Sequence, residues 1–289
     1  LDLKQVEVIK GSNSTLYGGG SIAGLVNLVS IRPEVEGKTR LMLDRTSAGG
    51  TKLNGFYAKR GDKLGMSLFT TGNLQKAYDP NSDNFSDIPE TKGFTINPVI
   101  YYYPSTDSQF RLSLNGTFEE RLGGNLQAIE NEEGSSTEYL QENLTNRFSY
   151  QLSYEKSWEE GQSLIIKNSL LHFDRSINQF QYTFDGEQWA SFSEISYGFG
   201  DQGRSWVTGM NVYTDRFKEG AIRTSDRSYD QTTVGGFVQN VSTLSNDVSL
   251  ESGFRLARND VYGWLALPRL SLLYKAHSKF TYRIGGGVG

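Results

Sequence analysis

Asp79, Asn81, Asp83, Asp87 and Glu90 set side-chain oxygens at positions 1, 3, 5, 9 and 12 of a twelve-residue window, and Phe85 can add a backbone carbonyl at position 7. Hard oxygen donors at that spacing can wrap one hard cation, so a structural calcium ion is the cofactor the window suggests, and no other cofactor is indicated. Asn84 stands where such a loop wants glycine, a tolerable exchange because Asn enters the left-handed region more readily than most residues. No helical pattern flanks the window and Pro89 stiffens its exit, which excludes a helix-loop-helix calcium motif. The competing reading is that Asp, Asn, Ser and Pro are ordinary loop residues.

Little else in the chain is equipped for chemistry, and an enzyme is not expected. There are two histidines, His172 inside a strand pattern and His277 in a tight turn, and neither belongs to a triad or a metal-ligand spacing. Gly285-Gly286-Gly287 follows a strand pattern but opens no helix, so it is no nucleotide fingerprint. The absence of cysteine excludes disulfides, thiolate metal sites and thiol catalysis. A net charge of -4 without a basic groove-reading motif makes nucleic acid an unsuitable partner.

The elements that must carry these residues are strands. The 289 residues include 32 Gly, 16 Tyr and 16 Phe against 6 Pro and 3 Met, a balance that favours a β protein with many tight turns. From about Lys38 onward apolar and polar residues alternate. Phe110, Leu112, Leu114 and Phe118 share one parity, as do Phe148, Tyr150, Leu152 and Tyr154, then Val248, Leu250, Phe254 and Leu256, then Phe280, Tyr282 and Ile284. Period-two alternation is the mark of a strand between two different solvents. Leu164 to Phe173 is ambiguous as to face. No apolar stretch approaches the roughly 18 residues of a membrane helix, so any membrane crossing must be made by strands.

The connections alternate in length. Gly61-Asp62, Pro104 to Asp107, Glu159 to Gln162, Gly200 to Gly203, Ser245 to Asp247 and Ala276 to Ser278 read as tight turns; Gln75 to Thr91, Leu122 to Asn143, Asp174 to Gln188 and Lys218 to Asp230 read as long polar loops. Short turns on one rim and long loops on the other describe an outer-membrane barrel, and a soluble sandwich has no reason to keep that rule. The expected fold class is therefore all-β, a partial transmembrane antiparallel β-barrel of about thirteen strands, each near the roughly 9 to 11 residues of a tilted membrane strand. Tyr101, Tyr102 and Tyr103, Trp158, Tyr197 and Phe199 sit near strand ends, as an interfacial aromatic girdle would. The chain opens without a charged or apolar leader and stops inside a strand pattern, so an internal fragment is expected, with any export signal upstream.

The first thirty residues break the pattern. Val6-Glu7-Val8-Ile9-Lys10-Gly11 leads to Ser14-Thr15-Leu16-Tyr17-Gly18-Gly19-Gly20 and then to Ser21-Ile22-Ala23-Gly24-Leu25-Val26-Asn27-Leu28-Val29. This resembles the closing segment of the plug domain of TonB-dependent receptors: a V-E-V-x-(Arg or Lys)-G strand, a Tyr-Gly-rich turn, and a small-residue stretch ending in an apolar-Asn-apolar strand. Two positions depart from the family: Lys10 stands where Arg is usual, and Leu25 where a second Gly is frequent. The resemblance implies that residues 1–33 close a plug domain, that residues 34–289 begin a twenty-two-stranded barrel, and that the barrel lies in the outer membrane of a Gram-negative bacterium. It implies that Glu7 and Lys10 make the ionic contact between plug and barrel wall, and that Tyr17, Gly18, Gly20 and Gly24 shape the plug turn. Lys cannot make the bidentate contact of Arg, which weakens that link.

Also implied are the function, TonB-dependent active uptake of a scarce nutrient, first a ferric siderophore and second cobalamin or haem, and the partners: outer-membrane lipid, the inner-membrane TonB complex through an upstream box, and a small-molecule metal chelate. A passive porin or adhesion barrel is the remaining alternative, and it lacks a Gly-rich plug ahead of its first strand. Tyr182, Trp189 and the stretch Asn125 to Asn143 lie in loop regions where a ligand could be met, but loop aromatics and amides are too common to name a site.

Overall fold

Residues that alternate in polarity gain most as strands when one face leaves water, and this chain does so almost throughout. The structure, a computed structural model, describes all residues except 1, 12–13, 19–20, 22, 132–137, 159–160, 202, 221–225 and 278. An N-terminal hairpin comes first: β1 (Leu3–Lys10), the single-turn helix α1 (Ser14–Tyr17) and β2 (Gly24–Ser30), with β1 and β2 paired antiparallel. Thirteen strands follow: β3 (Lys38–Arg45), β4 (Thr51–Arg60), β5 (Leu64–Gln75), β6 (Glu90–Ser105), β7 (Ser108–Gly124), β8 (Leu140–Ser157), β9 (Ser163–Gln179), β10 (Tyr182–Gly200), β11 (Arg204–Glu219), β12 (Tyr229–Thr243), β13 (Val248–Asn259), β14 (Gly263–His277) and β15 (Phe280–Gly287). They form one antiparallel sheet in strict chain order, and a short helix α2 (Leu126–Asn131) sits in the connection from β7 to β8.

The hairpin marks the inner face. α1 packs on β12, β13 and β14, and a Cβ on Gly253 would lie 2.4 Å from Thr15 Oγ1, so the odd-numbered residues of β13 point inward. Directly paired residues share a face, so the register carries this assignment around the whole sheet. Inward come Arg111, Ser113, Thr117 and Glu119 of β7 and Arg255, Ala257 and Asn259 of β13; outward come Phe110, Leu112, Leu114, Phe118, Phe148, Leu152, Phe254, Leu256, Tyr282 and Ile284. Keeping each such outward Leu or Phe in water costs about 1.5–3 kcal/mol relative to burial. A sheet with this surface, its backbone paired on both sides from β4 to β14, is built to face hydrocarbon.

Aromatic rings collect on the outward face at the short-turn rim. Tyr102 stacks on Phe110 at 6.2 Å and Tyr154 lies tilted against Phe110 at 4.5 Å; further round, Tyr197 meets Phe199 at 5.7 Å and Phe199 meets Trp206 at 6.4 Å. Of the three consecutive tyrosines expected in the girdle only Tyr102 belongs to it. Strand alternation sends Tyr101 and Tyr103 inward, where they stack at 6.2 Å beneath the Arg60 guanidinium, 3.8 Å from the Tyr103 ring.

Two expectations about the connections are corrected. Residues 174–188 are not a long loop: β9 and β10 run on to a two-residue turn at 180–181, with Gln181 at φ +60°. Most of the strands are also longer than 9 to 11 residues, up to the 19 of β10, while β3 and β15 have 8 and β4 has 10. At about 3.3 Å per residue such strands continue well beyond a bilayer, so polar sequence at 174–188 is wall standing in water and not a break in the sheet.

At the β6–β7 turn Asp107 pairs with Lys156 of β8, and this contact together with a hydrogen bond from Ser105 holds its carboxyl at about 2. Because the folded-state value is depressed, the contribution is complete above the unfolded value of roughly 3.9 and is lost as pH falls through about 2. Amide exchange at this turn should accelerate between pH 4 and about 2, and Asp107→Asn should abolish that pH dependence; the same acid response in the variant would refute the assignment.

Candidate functional site

The N-terminal hairpin is held by its own register. Glu7 faces Asn27, whose Nδ2 donates to Glu7 Oε2 at 2.8 Å, and Gln5 donates to the other carboxylate oxygen. These described contacts of Glu7 lie within the hairpin, Lys10 is exposed, and among the described residues neither forms an ion pair with the wall. Gly24 pairs with Lys10 at φ +127°, where a Cβ would come within 2.5 Å of the Ile9 carbonyl oxygen, so no other residue fits. Gly18, at φ +83°, donates its N–H to Ser14 O at 2.9 Å, and its carbonyl accepts from Ser21 N and Oγ at 3.2 and 2.9 Å. Gly20 lies outside the described residues.

What touches the wall is the turn itself. Ser14 and Thr15 are completely buried, and Thr15 fills the space that Gly253 leaves on β13. Beside it the buried Arg255 donates through Nη2 to Asn211 Oδ1 at 2.6 Å. Above this seat a cavity of about 640 Å³ opens between Tyr17, Gly18 and the wall residues Phe192, Glu194, Tyr213 and Arg255. Lys167 spans to Glu194 at 3.3 Å across the wall, whereas Arg255 Nη1 remains without a partner.

Further along the same inner face, at the long-loop rim, β10, β11 and β12 build an aromatic vestibule. Phe184 and Phe217 stack at 6.4 Å, Phe217 and Tyr229 meet at 5.7 Å, and the Arg227 guanidinium lies 5.2 Å over Phe184. Asp215 orders the polar edge: it accepts from Gln188 Nε2 at 2.7 Å, Tyr213 Oη at 3.2 Å and Tyr229 Oη at 3.3 Å. Arg227 forks onto Glu219, and this contact holds the Glu219 carboxyl below and the guanidinium above their ordinary values, while Tyr182 adds a hydrogen bond to Arg227. Flat rings beside fixed charged and hydroxyl groups suit a flat, polar-edged aromatic ligand. Tyr182 thus faces the lumen. Trp189 does not: one residue out of phase, it lies outward, its ring 4.3 Å from His172, and Glu187 Oε1 accepts from Trp189 Nε1 at 2.8 Å and meets His172 Nε2 at 3.1 Å. The vestibule residues at 213 to 229 carried no sequence motif; the available signal was the aromatic parity of Tyr213 and Phe217, legible only once the inner face is known.

The Asp79 to Glu90 window is half organised. Asp79 Oδ1 accepts from the N–H groups of Ser82 and Asp83 at 2.7 and 3.4 Å and Oδ2 from that of Asn84 at 2.8 Å; Asn81 Oδ1 accepts from Asp83 N–H at 3.2 Å and Asp83 Oδ1 from Phe85 N–H at 2.9 Å. Asn84 takes φ +66°. The second half turns away into sheet-like bridges, Tyr78 with Ile88 and Phe85 with Asn125, and Glu90 opens β6 with Lys92 at 3.1 Å from its carboxylate. Among the described residues no three acidic or histidine side chains gather as a metal group.

Gly253→Val should unseat Thr15, exposing the 14–18 turn to protease while the barrel sheet stays folded; full protection of the turn in that variant would show that α1 does not depend on this seat.

No family model matches the chain. It is 20% identical over 306 aligned positions to an iron-regulated outer membrane virulence protein of Vibrio cholerae, covering 99% of this chain and 44% of that protein. Among solved structures, the ferric enterobactin receptor of Pseudomonas aeruginosa superposes with a TM-score of 0.76 at 13% identity, over 98% of this chain and 48% of the receptor. The siderophore receptor of Acinetobacter baumannii superposes with a TM-score of 0.74 at 18% identity, over 98% and 47%. A variant of the Pseudomonas aeruginosa receptor solved in complex with enterobactin gives 0.74 at 14%. The chain spans about half the length of the relatives it matches. Its hairpin, inward turn and thirteen-stranded sheet therefore have the fold of the siderophore-receptor barrels.

Proposed function

We propose that this chain is the plug-closing segment and first barrel strands of an outer-membrane receptor that takes up a ferric siderophore, with the driving force supplied by the inner-membrane TonB complex. The observation that carries the reading is a barrel wall that is apolar outside and polar inside, with a Gly-rich turn seated against its lumen and an aromatic vestibule above. A passive pore has no use for such a seat. The iron-regulated relative and the enterobactin-bound structure favour an iron chelate over cobalamin or haem. Glu7 and Lys10, at the hairpin edge, are proposed to contact the wall in the complete receptor.

Binding of ferric enterobactin to the full-length protein tests the ligand. Phe217→Ala and Tyr229→Ala should each weaken it about tenfold, or roughly 1.4 kcal/mol, and abundance in outer-membrane fractions should rise under iron starvation. Unchanged affinity in both variants, or induction by cobalamin starvation alone, would overturn the siderophore reading.

We propose further that the Asp79 loop takes Ca²⁺ weakly, because only Asp79, Asn81 and Asp83 are held together in its folded half. Calorimetry on the folded protein should give heat only in the range of about 10⁻⁴ to 10⁻³ M; no heat at these concentrations would remove the site.

A further inference from the structure

We propose that the outward face of β10 to β14 carries a binding site for one phosphate-bearing acylated lipid of the outer leaflet, with the acyl chain in a groove over Gly236 and the phosphate on Arg258. The inference rests on the outer-membrane placement proposed above.

The groove, about 520 Å³, is lined by Ile195, Met210, Val212, Val234, Leu256 and Trp264. It exists because Gly236 has no side chain: a Cβ there would meet only the Gly209 carbonyl oxygen, at 3.8 Å, so the missing atoms leave open space between the side chains of β11 and β13. The register places it outward, since Gly236 pairs with Met210 and Leu256, both exposed, while its neighbours Gly235 and Phe237 are buried on the lumen side.

At one end stands Arg258, opposite Val234 on β12 and Trp264 on β14, its guanidinium 5.8 Å over the Trp264 ring. Among the described residues no acidic side chain pairs with it. An outward cation in hydrocarbon is unfavourable, and the cost vanishes at the interface, which sets the depth of this residue. The β13–β14 hairpin turns at 260–262, directly beyond Arg258, with Tyr262 and Trp264 exposed as interfacial aromatics are. Neighbouring β11 and β12 continue past that level, and on the same outward face Arg216 lies 2.5 Å from Asp230.

Several features select the occupant. Hydrocarbon of any lipid would fill the groove, but only an anionic headgroup uses a guanidinium without an acidic partner at its mouth, and Arg258 itself lines the groove beside Trp264, so that chain and charge are met together. A phosphate is the anion that a guanidinium fork fits best at a bilayer surface. The flat sheet of a second barrel would span the groove without entering it.

The test is native mass spectrometry of the full-length protein extracted in mild detergent from outer-membrane fractions. The wild type should retain one phosphorylated acyl lipid. Arg258→Ala should lower the retained fraction about fivefold, the effect of one surface cation, and Gly236→Phe should displace the lipid by filling the groove. Arg258→Ala lies on the exposed surface and carries the test if the Gly236 variant folds poorly. Equal lipid retention in both variants, a bound lipid without phosphate, or a dimer that Gly236→Phe dissociates would each overturn the inference while the outer-membrane placement stands. Absence of the protein from that fraction would overturn both.

Discussion

Everything in this molecule depends on backbone pairing in a medium that offers the backbone no other partner. Each strand from β4 to β14 is satisfied by its sequence neighbours on either side, through registers that run unbroken for as many as seventeen pairs between β7 and β8 and between β9 and β10. That regularity transmits facing: once one residue is known to touch the lumen, every paired residue around the wall is assigned. The cost of a misplaced register is correspondingly high, because a slip of one would turn Leu112, Leu152 and Leu256 inward and Arg111, Arg147 and Arg255 toward lipid.

The lumen turns this constraint to use. Much of its polar lining is engaged within the wall, Lys167 with Glu194 and Arg255 through Nη2 with Asn211, so the surface that receives the Gly-rich turn is firm. Small residues then decide the fit. Gly253 admits Thr15, and Gly24 lets β2 approach β1, each at a spot where a Cβ would strike its neighbour. The turn is held by shape, with few charges of its own committed to the wall.

Height along the wall separates roles. Near the short-turn rim the outward rings of Tyr102, Phe110, Tyr154, Phe199 and Trp206 set one boundary of the apolar band. Trp189 with His172 on β9 and β10, and Trp264 with Arg258 on β13 and β14, set the other. Above that second boundary the strands continue as a free-standing wall, and there the inner face gathers Phe184, Phe217, Tyr229 and the Arg227–Glu219 fork. The rings of the vestibule thus stand on strands, while Arg227 reaches them from the connection between β11 and β12.

The sequence by itself determined the strand alternation, the contrast between tight turns and the longer polar connections, the outward parity of Phe110 to Phe118, and the hairpin with its Tyr-Gly turn, because period two and glycine spacing are local properties. It also carried the left-handed Asn84, since that conformation is a matter of one residue and its nearest amides. Only the tertiary structure decided the rest. Leu164 to Phe173 could not be assigned to faces while Leu170 and Leu171 were both apolar, until pairing with β8 and β10 placed Leu171 inside. Residues 174–188 read as loop because polar side chains look alike in a loop and on a strand bathed by water on both sides; whether the sheet continues there is settled by pairing partners remote in the chain, on β8 and β11. The seat of Thr15 on Gly253 and the union of Gln188, Asp215 and Tyr229 join residues remote in the chain, and no local pattern could have brought them together.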